Sequence, residues 1–153
     1  MSEATKLIEE NLSKLKLWAN TVPKQTFQVN LWHVLSEKDG DIIRTVIYKR
    51  DNYRCQICGK KSVQIHAHEQ WKFDYSKELQ ILEDIISLCT PCHYNIHLGY
   101  SGGFEKSERE KVITHWCNIN QKTREDFSAY VLNVFALSTI KEKKFIFFSS
   151  SIF

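Results

Sequence analysis

The sequence predicts an α+β protein in which a small metal-stabilised module is flanked by α-helices. Three observations lead to this fold class. Apolar residues follow helical spacing on both sides of the centre, a short strand candidate covers 63–69, and four cysteines and four histidines lie between 55 and 97. We expect a single packed domain with three segments, which are an N-terminal helical flank over 1–50, a zinc-stabilised module over 51–100, and a C-terminal segment of helices and a terminal strand over 101–153.

The composition is that of a folded protein. The 153 residues are 42% hydrophobic and 12% aromatic, which is enough apolar material for a core and excludes global disorder. No apolar run approaches the roughly 18 residues of a membrane helix, and the first residues lack a secretory signal, so we expect a cytoplasmic protein with no membrane partner. The formal net charge of +3 is weakly basic, so any contact with nucleic acid should be local.

The N-terminal flank is predicted to contain two helices. Apolar residues at three- and four-residue spacing mark a first helix over 4–19, which Pro23 would end. The Lys38–Gly40 stretch is a turn signal, after which a second amphipathic helix is expected over 41–50.

The C-terminal segment is predicted to contain two further helices and a strand. The Ser107–Glu110 stretch fits a capping box for a helix that ends near Cys117, and the Thr123–Asp126 stretch fits the start of another helix. A basic turn over 141–144 should follow that helix, and 145–148 is then expected to be a strand.

Four cysteines form two matched pairs, Cys55-x-x-Cys58 and Cys89-x-x-Cys92. Two residues between thiolates let both sulfurs of a pair reach one ion, and two such pairs complete the tetrahedral site of a structural Zn²⁺. A redox pair or buried free thiols would be the alternative, but either would leave the second pair unexplained. Cys117 stands alone and is expected to be a small core residue.

Four histidines accompany the cysteines. His93 and His97 are four residues apart in a helix that Pro91 is predicted to begin, so both imidazoles lie on one face and can share a metal ion. His66 and His68 alternate along the predicted strand and therefore also share a face. A lone buried histidine is more often a hydrogen-bonded core residue, but four of them beside a cysteine cluster favour a functional site.

The basic residues around the start of the module allow two interpretations. Arg44, Lys49 and Arg50 lie on the polar side of the expected second helix, and Arg54 precedes the first cysteine. A run of charges is usually a solvated face, whereas these four residues together would also suit contact with the phosphate groups of nucleic acid. Both interpretations stay open at this point.

The spacing of these residues resembles that of the HNH endonuclease family. The resemblance is carried by Arg50-Asp51-x-x-Arg54-Cys55-x-x-Cys58-Gly59, by His68, and by Leu88-Cys89-x-x-Cys92-His93. The longer stretches His68–Asp74 and Leu88–Gly99, and a later His115 with Asn118, are similar to small phage and bacterial HNH proteins. The resemblance implies a ββα-metal core, in which a hairpin and a helix hold one divalent ion, and a host cytoplasm as the location if a phage encodes the chain.

The resemblance also implies roles for single residues. His68 matches the general base, which would take a proton from the attacking water. His93 and His97 match ligands of a catalytic Mg²⁺, Mn²⁺, Ni²⁺ or Zn²⁺ ion. Asp84 stands where the family has an asparagine that braces the loop and helps to orient the base. The implied substrate is nucleic acid, with DNA expected ahead of RNA.

Two departures from the family pattern leave an alternative open. Ala67 occupies the position of a further metal ligand, for which Glu69 or His66 would have to compensate, and Asp84 lacks the amide donor of asparagine. We therefore interpret the chain as an HNH-type endonuclease. The alternative is a catalytically degenerate HNH-like zinc module that binds nucleic acid or a protein partner without cleavage. A purely structural zinc protein would leave the histidine pairs unexplained.

Overall fold

The structure, a computed structural model, describes residues 3–23, 26, 29–74, 77 and 79–149, of which 142–149 are described by their backbone only. The elements are α1 (Glu3–Ser13), α2 (Leu31–Val34), α3 (Glu37–Arg50), β1 (Ile65–Asp74), β2 (Leu79–Cys89), α4 (Thr90–Ile96), α5 (Leu98–Ser101), α6 (Lys106–Asn120) and α7 (Arg124–Ser149). Helices and a two-stranded antiparallel sheet together confirm the α+β class. Within the described ranges, no helix has both the length and the hydropathy required to cross a bilayer.

The helical unit, formed by Met1–Thr21 and Thr90–Ile140, is built around an aromatic cluster. The buried Trp116 of α6 stacks on Tyr130 of α7 with ring centroids 4.6 Å apart, and it meets Phe127 edge-on at 5.2 Å. Such pairs add a directional attraction to the burial of their large apolar area. In the same unit, α4, which is the helix that directly follows β2, packs against α6.

Helix α1 is shorter than expected, because it ends at Ser13 whereas the prediction extended it to residue 19. The backbone of Leu17 exchanges hydrogen bonds of 3.0 and 2.9 Å with the side-chain amide of Asn120. The N–H of Ala19 donates to the Tyr130 hydroxyl at 2.7 Å. Backbone groups that bond to side chains in this way cannot also form the hydrogen bonds of a helix. These tertiary contacts therefore prevent the helix from continuing, although the apolar spacing extends to residue 19.

The two long C-terminal helices differ in how well their starts were predicted. The capping box of α7 is confirmed, since the Asp126 N–H donates to Thr123 Oγ1 at 3.1 Å and the Thr123 N–H donates to the Asp126 carboxylate at 2.9 Å. Helix α6 instead includes Ser107, begins after Glu105 without a side-chain cap, and runs on to Asn120.

The strand expected over 145–148 is wrong, because α7 is helical as far as Ser149. Lysine and glutamate fill the stretch 141–144 and are good helix formers, so they do not act as a turn. Neither glycine nor proline interrupts the sequence from Arg124 to Ser149, and the helix therefore continues.

The hairpin unit, formed by Val22–Cys89 and the chain from Lys141, contains α2, α3 and both strands. The strands pair antiparallel, and β1 runs on to Asp74, beyond the strand expected over 63–69. Gln70 lies opposite Asp84 but Trp71 lies opposite Leu82, so the residue between them on β2 forms a β-bulge. Helix α3 packs against both strands. The division of the chain into three segments within one domain stays a prediction.

Helix α3 begins at Glu37, four residues earlier than expected. Ser36 caps it, since Ser36 Oγ accepts from the Asp39 N–H at 3.1 Å and donates to the Asp39 carboxylate at 2.6 Å. The turn expected over Lys38–Gly40 is therefore wrong. The serine cap with an acidic residue three positions on starts the helix early and includes Gly40 in it.

Candidate metal centres

The first cysteine pair lies in a tight knuckle that runs from Cys55 to Lys60. The N–H of Cys55 donates to the Lys60 carbonyl at 3.0 Å, and the N–H of Gly59 donates to the Cys55 carbonyl at 2.8 Å. Gly59 has a φ of +75°, a left-handed conformation that glycine adopts without strain. The knuckle folds the chain back so that residues three apart can direct their sulfurs at one ion.

The second pair stands at the junction of β2 and α4. Cys89 is the last residue of β2, and Cys92 lies in the first turn of α4 beside Pro91, as the sequence predicts. The Sγ atoms of Cys58 and Cys89 are 3.7 Å apart. Two thiolates on one tetrahedral zinc, each at about 2.3 Å, stand about 3.8 Å apart. The separation therefore fits two ligands of one ion and is far too long for a disulfide bond.

All four paired cysteines come together. Their Sγ atoms lie within 4.8 Å of one another, and none of the five cysteines forms a disulfide bond. Cys58 is half-buried, and the other three of the group are buried. Four sulfur donors fill the tetrahedral coordination that zinc prefers. The chain thus contains a four-cysteine cluster that is compatible with zinc.

Asp51 ties the end of α3 to the strand that carries Cys89. Its side chain is only 6% exposed, and its carboxylate accepts from the Ser87 N–H and from Arg50 Nε, both at 2.8 Å. Burial opposes ionisation, but the hydrogen bonds from Arg50 and Ser87 outweigh it, and the net pKa of Asp51 is lowered. Gln56, in the knuckle, donates its N–H to the Ser87 carbonyl at 2.9 Å, so Ser87 connects Asp51 to the knuckle.

Three histidines form a second group. The ligand atoms of His68, His93 and His97 lie within 4.8 Å of one another, so the structure brings together the three histidines singled out from the sequence. His68 is only 6% exposed and lies opposite Ile86 in the sheet. The rings of His93 and His97 meet edge-on with centroids 4.6 Å apart. Imidazole nitrogens that converge in this way can bind one divalent ion.

His97 lies just beyond the end of α4, which stops at Ile96 and not after His97 as expected. The His97 N–H still donates to the His93 carbonyl at 3.1 Å, and this bond keeps the two side chains on one side of the chain. His97 is exposed, yet the protein atoms around its imidazole desolvate the ring and lower its pKa. A lowered pKa favours the neutral imidazole, which is the form that binds metals.

Glu69 and His66, the residues expected to compensate for Ala67, are not among the ligand atoms that converge. Glu69 is buried, and its carboxylate accepts hydrogen bonds from the Leu31 N–H and, at 3.4 Å, from the Trp71 indole. It therefore holds the start of α2 against β1. His66 is half-buried in β1, and desolvation lowers its pKa.

Asp84 is held by Arg50. Its carboxylate accepts from Arg50 Nη1 at 3.0 Å and from the Ile85 N–H at 2.7 Å. The same guanidinium donates to Asp51 and, at 2.7 Å, to the Ile85 carbonyl. Asp84 therefore braces the strand against the end of α3. Its expected part in orienting His68 stays a prediction.

The four basic residues differ in their surroundings. Hydrogen bonds to Asp51 and Asp84 occupy Arg50 and raise its pKa, so its charge is balanced within the protein. The Arg44 guanidinium lies 4.9 Å from the centre of the Trp32 ring. The two remaining cations, which are exposed, are Lys49 and Arg54. Arg54 Nη1 also donates to the Gly59 carbonyl, at 3.1 Å. Arg50 therefore has a structural role, and contact of the basic residues with phosphate stays a prediction.

Two residues at these centres carry no role in the sequence prediction. Asp51 belongs to the pattern that carries the HNH resemblance, but only the structure shows that its carboxylate reaches Ser87. His115 of α6 places its Nε2 atom 3.1 Å from Cys92 Sγ, across a sequence separation of 23 residues. No local spacing signals a contact over that distance.

Comparisons of the chain with protein-family models, with curated proteins and with solved structures give no match.

Proposed function

We propose that this protein is an HNH-type, metal-dependent endonuclease that hydrolyses phosphodiester bonds of nucleic acid, with DNA as its substrate. The observation that carries the proposal is the convergence of His68 from β1 with His93 and His97 from the segment that follows the hairpin. A cluster of this kind offers ligands for a divalent ion and an imidazole base beside them. The chain order of two paired strands followed directly by a helix also suits a ββα-metal core.

The four-cysteine group would hold a structural Zn²⁺ ion. The Sγ separation of 3.7 Å between Cys58 and Cys89 supports this assignment, because it matches tetrahedral thiolate coordination. Four protein ligands leave no open position for water or substrate, so this ion would contribute to folding and not to the reaction.

The histidine group would carry the reaction. His93 and His97 would hold a Mg²⁺, Mn²⁺, Ni²⁺ or Zn²⁺ ion, which when bound supplies positive charge to the phosphate and to the leaving oxygen. His68 takes the proton of a water molecule while the water oxygen bonds to phosphorus. The bond from phosphorus to the 3′-oxygen breaks, and the 3′-oxygen takes a proton from solvent water to leave as a hydroxyl. The position of His68 in a paired strand, opposite Ile86, restricts its orientation for this step.

The second candidate is a zinc module that binds nucleic acid or a protein without cleaving it. One observation favours it: the carboxylates near the expected ligand position have other partners. Glu69 accepts hydrogen bonds from Leu31 and Trp71, Asp84 is paired with Arg50, and Ala67 brings no ligand atom on its side chain. The histidines would then have to hold the catalytic ion without a carboxylate.

Nicking of supercoiled plasmid DNA separates the two candidates. The zinc-loaded protein is assayed with Mg²⁺, Mn²⁺, Ni²⁺ and added Zn²⁺ in turn, and His68→Ala is compared with a control substitution at the exposed His33. We expect the wild type and His33→Ala to nick the plasmid and His68→Ala to be at least about 100-fold slower, because a general base contributes about that factor or more. Equal nicking by His68→Ala would exclude His68 as the base. Gel shifts without nicking by any variant would favour the binding module.

A further inference from the structure

The contact between His115 and Cys92 joins the second cysteine pair to α6. His115 Nε2 lies 3.1 Å from Cys92 Sγ, with Cys92 buried and His115 half-buried. Both residues belong to the helical unit, Cys92 on α4 and His115 on α6, and these two helices pack together. The sequence prediction leaves His115 without a role, and the proposed reaction does not use it.

The distance distinguishes a hydrogen bond from a shared metal. A histidine nitrogen at about 2.05 Å and a thiolate at about 2.3 Å on one tetrahedral zinc stand about 3.6 Å apart. The observed separation of 3.1 Å is about half an ångström shorter. The 3.7 Å between Cys58 and Cys89, by contrast, does fit two ligands of one ion. His115 is also not a member of the group of converging ligand atoms, so its contact with Cys92 Sγ fits a hydrogen bond and not a fifth ligand.

A second contact between α4 and α6 holds His115 in place. The side chain of Asn95, which is completely buried, donates from Nδ2 to the Val112 carbonyl at 3.1 Å and to the Pro91 carbonyl at 2.9 Å. Cys92 and Asn95 are three residues apart on α4, and Val112 and His115 are three residues apart on α6. The two helices are thus joined at two points about one helical turn apart, and the Asn95–Val112 contact keeps His115 beside Cys92.

We infer that His115 is a positioning residue of the four-cysteine centre, whose Nε2–H donates a hydrogen bond to the Cys92 thiolate. This inference rests on the structural zinc of the proposed function. Four thiolates around Zn²⁺ leave a net charge of −2 at a site where three of the sulfur-bearing residues are buried. Burial makes uncompensated charge costly, and a donor at one sulfur draws electron density from it. The bond should therefore strengthen retention of the metal and make the Cys92 sulfur less nucleophilic.

Cobalt substitution tests the inference on the full-length protein. We compare wild type with His115→Phe, which keeps a ring but has no donor, and with His115→Gln, whose amide nitrogen can take the place of Nε2. Co²⁺ affinity is measured by competition with a chelator, and the sulfur-to-cobalt charge-transfer band is recorded. His115→Phe should bind Co²⁺ about 10- to 100-fold more weakly, as loss of an outer-shell partner usually does. Its charge-transfer band should move to lower energy, and His115→Gln should reverse both changes.

Three results have distinct meanings. An unchanged affinity and an unchanged band in His115→Phe would overturn the inference. A weaker affinity with an unchanged band, not reversed in His115→Gln, would also overturn it, since this is the result of a packing role alone. A spectrum of the cobalt-substituted wild type without four-thiolate coordination would refute the structural zinc itself. This spectrum is recorded before any variant is made. Circular dichroism of each variant checks that the helices remain folded, and faster alkylation of zinc-loaded His115→Phe would give independent support.

Discussion

Replacement of Asp51 should destabilise the protein more than replacement of any exposed aspartate. The Asp51 carboxylate accepts two hydrogen bonds from Arg50, at 2.8 and 3.2 Å, and one from the Ser87 N–H at 2.8 Å. In Asp51→Ala the part-buried Ser87 N–H loses its partner, at a cost of about 1–3 kcal/mol. The Arg50 side chain is 43% exposed, so screening reduces the value of the ion pair to about 1 kcal/mol. We expect a total loss of about 3 kcal/mol.

Thermal unfolding of the zinc-loaded protein measures this loss. A change of about 3 kcal/mol in a chain of this size lowers the Tm by about 6–12 °C. Asp51→Asn, which keeps one carbonyl acceptor for Ser87, should lose only about 1–2 kcal/mol. The matched control is Asp41→Ala, because Asp41 is 72% exposed and pairs with Arg44 on the surface, where such a pair is worth at most about 1 kcal/mol. If Asp51→Ala and Asp41→Ala melt at the same temperature, Asp51 does not join α3 to β2 as described.

Three further predictions concern the metal centres and their surroundings. Cys58→Ser should lose the structural zinc and lower the Tm sharply, because metal binding contributes directly to folding, and an unchanged Tm with one zinc retained would contradict the assignment. The folded-state pKa of Asp51 is below its unfolded value of about 4. The free energy of unfolding should therefore differ most between wild type and Asp51→Asn above about pH 5, and the difference should shrink as the pH falls. Urea unfolding of both proteins at matched metal content measures this difference. Glu69→Gln should leave binding of the second metal within about twofold of wild type by calorimetry, since Glu69 is bonded to Leu31 and Trp71, and loss of that metal would make Glu69 a ligand.

Local patterns predicted those parts of the fold that local contacts determine. The capping box at Thr123 depends on residues three positions apart, and it forms as expected. The apolar spacing over 4–19 was a poor guide, because the backbones of Leu17 and Ala19 bond to side chains more than 100 residues away. Contacts at such separation leave no trace in a short window of sequence.

The candidate metal centres were predictable to the extent that their residues are close in sequence. Two matched Cys-x-x-Cys pairs together predict metal binding, and the i, i+4 spacing of His93 and His97 predicts that these two lie together. His68 lies close to His93 and His97 only because of the register of the hairpin, which places His68 opposite Ile86. The contact between His115 Nε2 and Cys92 Sγ depends on the packing of α4 against α6, and only the three-dimensional structure reveals it.

The proposed reaction requires a catalytic ion in the histidine group that is separate from the structural zinc. The most direct measurement is the rate of plasmid nicking by protein that carries one zinc per chain, with and without a second divalent ion, for wild type and for His93→Ala. Added metal should activate the wild type, whereas His93→Ala should stay inactive and still retain its one zinc. Equal metal-dependent nicking by both proteins would refute a catalytic ion at the histidine group.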